Sequence, residues 1–156
     1  MYGFALCAEP LAETVGADDP DAITISGGVY DGLGEPLAYP EALVELWHGD
    51  QLARARTDAF GIWLVRLRRP RSAVDLPDGC AQAPHVNVTV WARGLLKQAQ
   101  TRLYFPDEEI ANASDPVLAR VDPARRQLLL ATPSAPRELR FDVHLQGEHE
   151  SVFFDF

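Results

Sequence analysis

Residues 85–91, His-Val-Asn-Val-Thr-Val-Trp, alternate strictly between apolar β-branched side chains and polar or aromatic ones. Two residues is the repeat of a strand, so Val86, Val88 and Val90 face one way and His85, Asn87, Thr89 and Trp91 the other. β-branched residues lose rotamer freedom in a helix and pack well on a pleated surface, so this run belongs in a sheet with one buried face. Comparable short runs recur along the chain. Strands are expected at Ala22–Tyr30, Ala42–His48, Phe60–Leu67, His85–Ala92, Arg102–Phe105, Gln127–Ala131, Leu139–Gln146 and Ser151–Phe154. Turn-forming residues separate them: Asp31-Gly-Leu-Gly34, Asp58 near Gly61, Leu76-Pro-Asp-Gly79 and Gln146-Gly-Glu148. Many short strands at regular spacing predict an all-β fold, a two-layer β-sandwich with short helical turns, in one domain spanning 1–156.

Helical signal is confined to two such turns. Asp115 or Ser114 can cap one with Pro116 in first position, and Asp122-Pro123 repeats that entry. Leu139, Phe141, Val143 and Leu145 alternate with Arg140, Asp142 and His144, the pattern of a half-buried antiparallel strand. The ending Val152-Phe-Phe-Asp-Phe156 is too apolar to stay in water and is expected to dock on the protein's own core or on a partner.

With 156 residues, 47% of them hydrophobic, the chain can bury a sizeable core. Fourteen basic against twenty-three acidic residues give a net charge of −9, which argues against binding nucleic acid or anionic lipid, both of which need a positive surface. Cys7 and Cys80 do not make a disulfide framework and are expected to be reduced. Met1–Cys7 has the small and apolar residues of a lipoprotein signal but lacks its basic start and apolar length, and no stretch is long enough to span a membrane. The expectation is a soluble, cytoplasmic protein.

A His-x-His pair on one strand face would aim two imidazoles at one metal ion. Here Asn87 holds the second position, and its amide oxygen is a much poorer ligand for a transition metal. His48, His85, His144 and His149 have no spacing typical of a zinc or non-haem iron site, and no nucleophile elbow suggests serine chemistry. Gly27-Gly28 and Gly32-x-Gly34 lack the strand–loop–helix context of a phosphate loop and read as turns at strand ends. Trp47 and Trp91 read as core or interface anchors, and Trp63 as a strand residue.

Five blocks in order carry a family resemblance: Gly28–Gly34 with Ala42–Trp47, Ala83-Pro-His-Val-Asn87, Ala92–Leu95 with Thr101–Asp107, Ala111–Leu118, and Arg140–Phe156. Together they resemble the intradiol ring-cleavage dioxygenases, in the branch built from paired alpha and beta chains, and the ending is the block most specific to alpha chains. In that family the beta chain holds a ferric ion through two Tyr and two His. The resemblance aligns His85 with the first His and Asn87 with the second. The Tyr positions fall near Ala55, in a segment that reads as shortened, and near Val74, and the Arg expected three residues before the first His is Gln82. One ligand in four implies no metal on this chain, only a vestigial site at His85 and Asn87, with Fe(III) bound by a partner beta subunit.

The resemblance implies a hetero-oligomeric enzyme that opens a carboxylated catechol such as protocatechuate with dioxygen between its two hydroxyl-bearing carbons. This chain, inactive alone, would complete the cavity. Arg93 would meet the substrate carboxylate, while Tyr2 and Gly3 would line the cavity wall. Alpha chains of this family usually carry a Thr-x-Gly-Pro-like segment before the residues matched by Tyr2–Leu6, and this sequence begins at Met1. The competing reading is a non-enzymatic β-sandwich binding or scaffold domain derived from the family. A transthyretin-like hydrolase would need a catalytic polar cluster that the sequence does not display.

Overall fold

The computed structural model describes residues 11–71, 74–75 and 81–155. Leu76–Gly79, expected as a turn, therefore lies outside the described residues, as do Cys7 and Cys80. Two sheets face each other. In the first, β1 (Ala22–Tyr30) is central, antiparallel to β4 (Ile62–Arg68) on one side. On its other side it runs parallel to β10 (Glu138–Arg140) and then to β11 (Val143–His144), and β9 (Thr132–Ala135) pairs with β10 beyond. The second sheet is an antiparallel meander in the order β3 (Gln51–Arg56), β2 (Ala42–His48), β7 (His85–Ala92), β8 (Ala99–Tyr104). A two-residue pairing joins β5 (Val74–Asp75) to β6 (Ala81–Gln82).

The main core lies between the sheets. Ile23, Ile25, Val29, Trp63, Val65, Leu67, Phe141 and Val143 come from one side, and Val44, Leu46, Ala53, Ala55, Val86, Val88, Val90 and Leu103 from the other. The alternation expected for 85–91 is thus met, with the three valines inward. Three strands have the bounds expected of them: Ala22–Tyr30, Ala42–His48 and His85–Ala92. The fold is the all-β two-sheet sandwich that the strand spacing predicted.

The differences have local causes. The strand expected from Phe60 begins at Ile62, because Asp58 Oδ1 accepts the amides of Phe60 (2.8 Å) and Ile62 (3.0 Å) and completes a turn through Gly61. Gln51–Arg56 was not expected as a strand. It returns from β2 through Gly49 at φ 59°, with His48 opposite Gln51. Instead of the strand Gln127–Ala131, Arg126–Leu129 forms a 3₁₀ turn, and Leu129 is buried against Tyr104, Leu118, Val121 and Val152. One short helix, α1 (Glu109–Ser114), also went unanticipated.

Leu139–Gln146 is two short strands parallel to β1, not one antiparallel strand. The break at Phe141-Asp142 explains Gly27-Gly28, which lie inside β1 and not at its end. A Cβ on Gly27 would fall 1.8 Å from the Phe141 carbonyl oxygen, and the Gly28 amide donates to Asp142 Oδ1 at 2.7 Å. Alternation survives the break: Phe141 and Val143 are buried, while Arg140, Asp142 and His144 are half exposed. The tail docks on its own chain without forming a strand. Thr101 Oγ1 donates to the Val152 carbonyl at 2.6 Å and the Phe154 amide to the Gln100 carbonyl at 2.8 Å.

Candidate functional site

Because β7 buries its valines, His85, Asn87, Thr89 and Trp91 cover the other face of the second sheet. Register aligns that face across three strands: Trp47 lies opposite Asn87, and Asn87 opposite Arg102. This row floors a cavity of about 490 Å³, closed by His48 and Gly49 from the β2–β3 hairpin, Gln82 from β6, His85 and Gln100. A neighbouring row is fixed by Glu45, whose Oε1 meets Arg54 Nη2 at 2.6 Å and whose Oε2 accepts the Trp91 indole N–H at 3.3 Å.

His85 is buried, and its Nδ1 lies 2.8 Å from the Ala83 carbonyl oxygen. A carbonyl only accepts, so Nδ1 carries the proton and Nε2 is the acceptor. Burial, and then the nearby Arg102 charge, push the His85 pKa down to about 4. Burial likewise lowers that of His48, whose ring stands edge-on to His85 with centroids 6.1 Å apart. Arg102, buried to 8% exposure, donates from Nη1 to Gln82 Oε1 at 2.9 Å and to the Tyr104 hydroxyl at 3.4 Å. Burial raises the Tyr104 pKa to about 12. Behind Tyr104 lies Asp115, fully buried, which accepts the amides of Ala83, Val117 and Leu118, each at 2.8 Å. Asp115 is thus the cap expected between Ser114 and Pro116, and it also ties that turn to the loop entering β7.

The fold brings His85, Asn87 and Gln82 together. It does not bring the rest of a metal site to them. Ala55 sits in the core between the sheets, so a larger residue at this position would not face His85. Val74 pairs through its backbone with Gln82. A ferric ion in this cavity would have the His48 and His85 imidazoles, neutral carboxamides and the cationic Arg102 for neighbours, and no anionic ligand among the described lining residues, a poor match to a hard Fe(III). Among the described residues no three His, Cys, Asp or Glu converge. The four histidines divide into two pairs, His48–His85 and His144–His149, the latter with centroids 6.0 Å apart.

Arg93 lies at the other end of β7, eight residues and roughly 26 Å of strand from His85. Its guanidinium meets Glu41 at 2.9 Å, yet its side chain is 73% exposed. Strand directions gather the β1–β2, β3–β4 and β7–β8 connections at this same end, and with them the exposed Leu33, Tyr39, Phe60 and Leu96. Trp91 and Leu95 are half-buried there. Tyr2 and Gly3 lie outside the described residues. Sequence reading missed Arg102 as part of the cavity, and Tyr104 and Asp115 as the groups linked behind it. Alternation through Arg102-Leu-Tyr104 puts both polar residues on one face, but only register shows that this face is shared with His85.

No family model matches the chain. The protocatechuate 3,4-dioxygenase alpha chain of Burkholderia cepacia is 38% identical over 99% of this chain and 88% of its own length. The alpha chain from Pseudomonas putida is 36% identical over 88% of this chain and 79% of its own. Among solved structures, the dioxygenase domain of a dioxygenase–carbohydrate-binding fusion from Streptomyces sp. SirexAA-E superposes with a TM-score of 0.68 at 25% identity, covering 88% of each chain. Hydroxyquinol 1,2-dioxygenase from Pseudomonas putida shares the fold, with a TM-score of 0.66 at 15% identity over 89% of this chain and 60% of that one. Among the described residues, no helix is long and apolar enough to cross a membrane.

Proposed function

This chain belongs to the protocatechuate 3,4-dioxygenase alpha chains of the intradiol ring-cleavage dioxygenases, and from that membership we propose that it is the non-iron-binding subunit of an alpha–beta enzyme in the cytoplasm. The enzyme cleaves protocatechuate with dioxygen to 3-carboxy-cis,cis-muconate. Fe(III) would be held by the protocatechuate 3,4-dioxygenase beta subunit, and it would supply the activation of the catechol ring toward dioxygen. The remaining steps proposed for this chain are those of binding and orientation.

The observation that carries the reading is the split between the two ends of the sandwich. At the His85 end, Asn87 stands where the resemblance expects a second His. At the other end, Arg93 is exposed, and the loops gathered there also leave Leu33, Tyr39, Phe60 and Leu96 unburied. Such a surface suits association with a partner subunit, and its guanidinium suits a substrate carboxylate through charge and paired hydrogen bonds. Glu41 holds the Arg93 side chain by an exposed contact that a carboxylate ligand can displace at little cost. Tyr2 and Gly3 are proposed to line the same cavity wall.

Co-expression with a beta chain, followed by iron analysis and oxygen uptake, tests this directly. Ring cleavage should need both chains, and iron should follow the beta chain. In that complex, Arg93→Ala should lower kcat/KM for protocatechuate by roughly ten- to a hundred-fold, the loss of one charge-assisted hydrogen bond, and affect catechol much less. Equal losses for both substrates would assign Arg93 to subunit contact. An oxygen-consuming beta chain indifferent to this one would favour the scaffold reading.

A further inference from the structure

Arg93 is the proposed contact for the substrate carboxylate, and a carboxylate of this chain already stands at that contact. We propose that Glu41 is a positioning residue for the reaction, a resident competitor that the substrate carboxylate must displace from Arg93. The inference rests on the reading that Arg93 meets the substrate, and it gives a second residue of this chain control over affinity at that point.

The two residues sit across the β2–β7 ladder, one step beyond its pair of Ala42 opposite Ala92. The Arg93 amide donates to the Glu41 carbonyl at 2.8 Å, and the Glu41 amide to the Ala38 carbonyl at 2.8 Å. Both backbones are therefore tied down whatever their side chains do. The Glu41 side chain is 29% exposed against 73% for Arg93, so the carboxylate is the more enclosed partner and the guanidinium the one that reaches into solvent. Their ion pair is a single contact, Arg93 Nη2 to Glu41 Oε1. The half-buried pair of Arg54 and Glu45 on the same sheet is built differently. There Nε and Nη2 both reach Oε1, at 2.7 and 2.6 Å, and the Trp91 indole holds Oε2.

In a chain of net charge −9, an exposed arginine left without a counter-ion would collect any small anion. With Glu41 beside it, an incoming carboxylate exchanges one ion pair for another and gains only the difference between them. A single exposed contact is weak, so that difference depends on what else the ligand offers. A substrate carboxylate that engages two guanidinium nitrogens, on a ring fixed elsewhere in the site, prevails over the one contact of Glu41. An anion without a second anchor does not. Glu41 thereby lowers the affinity of ligands that carry a carboxylate and has no hold on a ring without one. Glu41→Gln keeps the shape and an acceptor oxygen and removes the charge, so it takes away the competitor and leaves the backbone ties in place.

The test is steady-state oxygen uptake by the iron-loaded alpha–beta complex carrying Glu41→Gln. KM for protocatechuate should fall roughly two- to fivefold, the strength of an exposed ion pair, with the change in KM rather than kcat and with KM for catechol unmoved. Glu41→Asp keeps the charge and should stay near the wild-type value. In an Arg93→Ala background, Glu41→Gln should have no effect, because Glu41 acts only through Arg93. Glu41→Ala carries the same expectations should the Gln variant fail to assemble. A raised KM for protocatechuate would make Glu41 a support that orients Arg93, and an unchanged KM or equal shifts for both substrates would give it no part in recognition. Each of these overturns the inference. Arg93→Ala alone separates it from the reading beneath it. A loss there confined to protocatechuate, with Glu41→Gln silent, sinks the competitor only, whereas equal losses for both substrates remove Arg93 from the carboxylate as well.

Discussion

Gly27 shows how one missing methyl group can shape a sheet. Its place in β1 is where β10 gives way to β11, and the Phe141 carbonyl occupies the space a side chain would take. Gly27→Ala would put a Cβ 1.8 Å from that oxygen and 2.9 Å from the Trp63 ring. Both neighbours are fixed in the core, so urea unfolding should show a loss of about 3 kcal/mol or more. Gly34→Ala is the control: with φ 79° and no atom within 4 Å, it should cost only about 1 kcal/mol in backbone strain. His85 provides a second prediction at this scale. Unfolded, it titrates near 6.5, and folded, near about 4. Between those values the unfolded chain binds more protons. Its contribution is therefore fully present above 6.5, lost as pH falls, and exhausted below about 4, amounting to at most about 3 kcal/mol. His85→Gln should flatten the fall in stability between pH 6.5 and 4, measured by denaturant titration. An unchanged slope would mean that other groups produce it.

Among the elements, the segment from α1 through the 3₁₀ turn at Arg126–Leu129 has the least regular structure and depends most on one side chain. Asp115 collects three amides and the Tyr104 hydroxyl with no exposure to water. Asp115→Ala would leave two buried donors and one half-buried donor without an acceptor, a loss of about 3 kcal/mol. Asp115→Asn keeps one acceptor oxygen and should fall between. Hydrogen exchange should locate the damage, with amides of 117–121 and Ala83 losing protection before those of β2 and β7. Uniform loss across the sandwich would instead make Asp115 part of a single cooperative core. The tail is simpler: Thr101 and Gln100 bind its backbone, and Val152, Phe153 and Phe154 pack on the two cores.

For the whole molecule, the two ends of the sandwich differ in what they expose. Leu33, Phe60 and Leu96 are 88%, 79% and 83% exposed at the Arg93 end. Expressed without a partner, the chain should self-associate through this end, and light scattering should report a mass above that of one chain. The double variant Phe60→Ser, Leu96→Ser should move it toward monomer and weaken binding of a beta chain. A wild-type chain that stays monomeric at high concentration would count against an obligate partner.

Alternation along 85–91 and 139–145 placed residues on faces correctly, because the pleat sends neighbours to opposite sides whatever the strand pairs with. Turn chemistry at Asp31, Asp58 and Asp115 was equally local, set by a carboxylate within reach of amides two to four residues on. That Asn87 stands where the resemblance expects a second His could be read from the sequence. Pairing could not, since a short strand's pattern is the same beside a parallel or an antiparallel neighbour. For that reason the two-piece strand parallel to β1 went unforeseen. Only register set Arg102 beside Asn87, across fifteen residues of chain, and made a cation part of the cavity. Strand length did the opposite for His85 and Arg93. They are eight residues apart in sequence, but an extended chain carries them to opposite ends of the molecule.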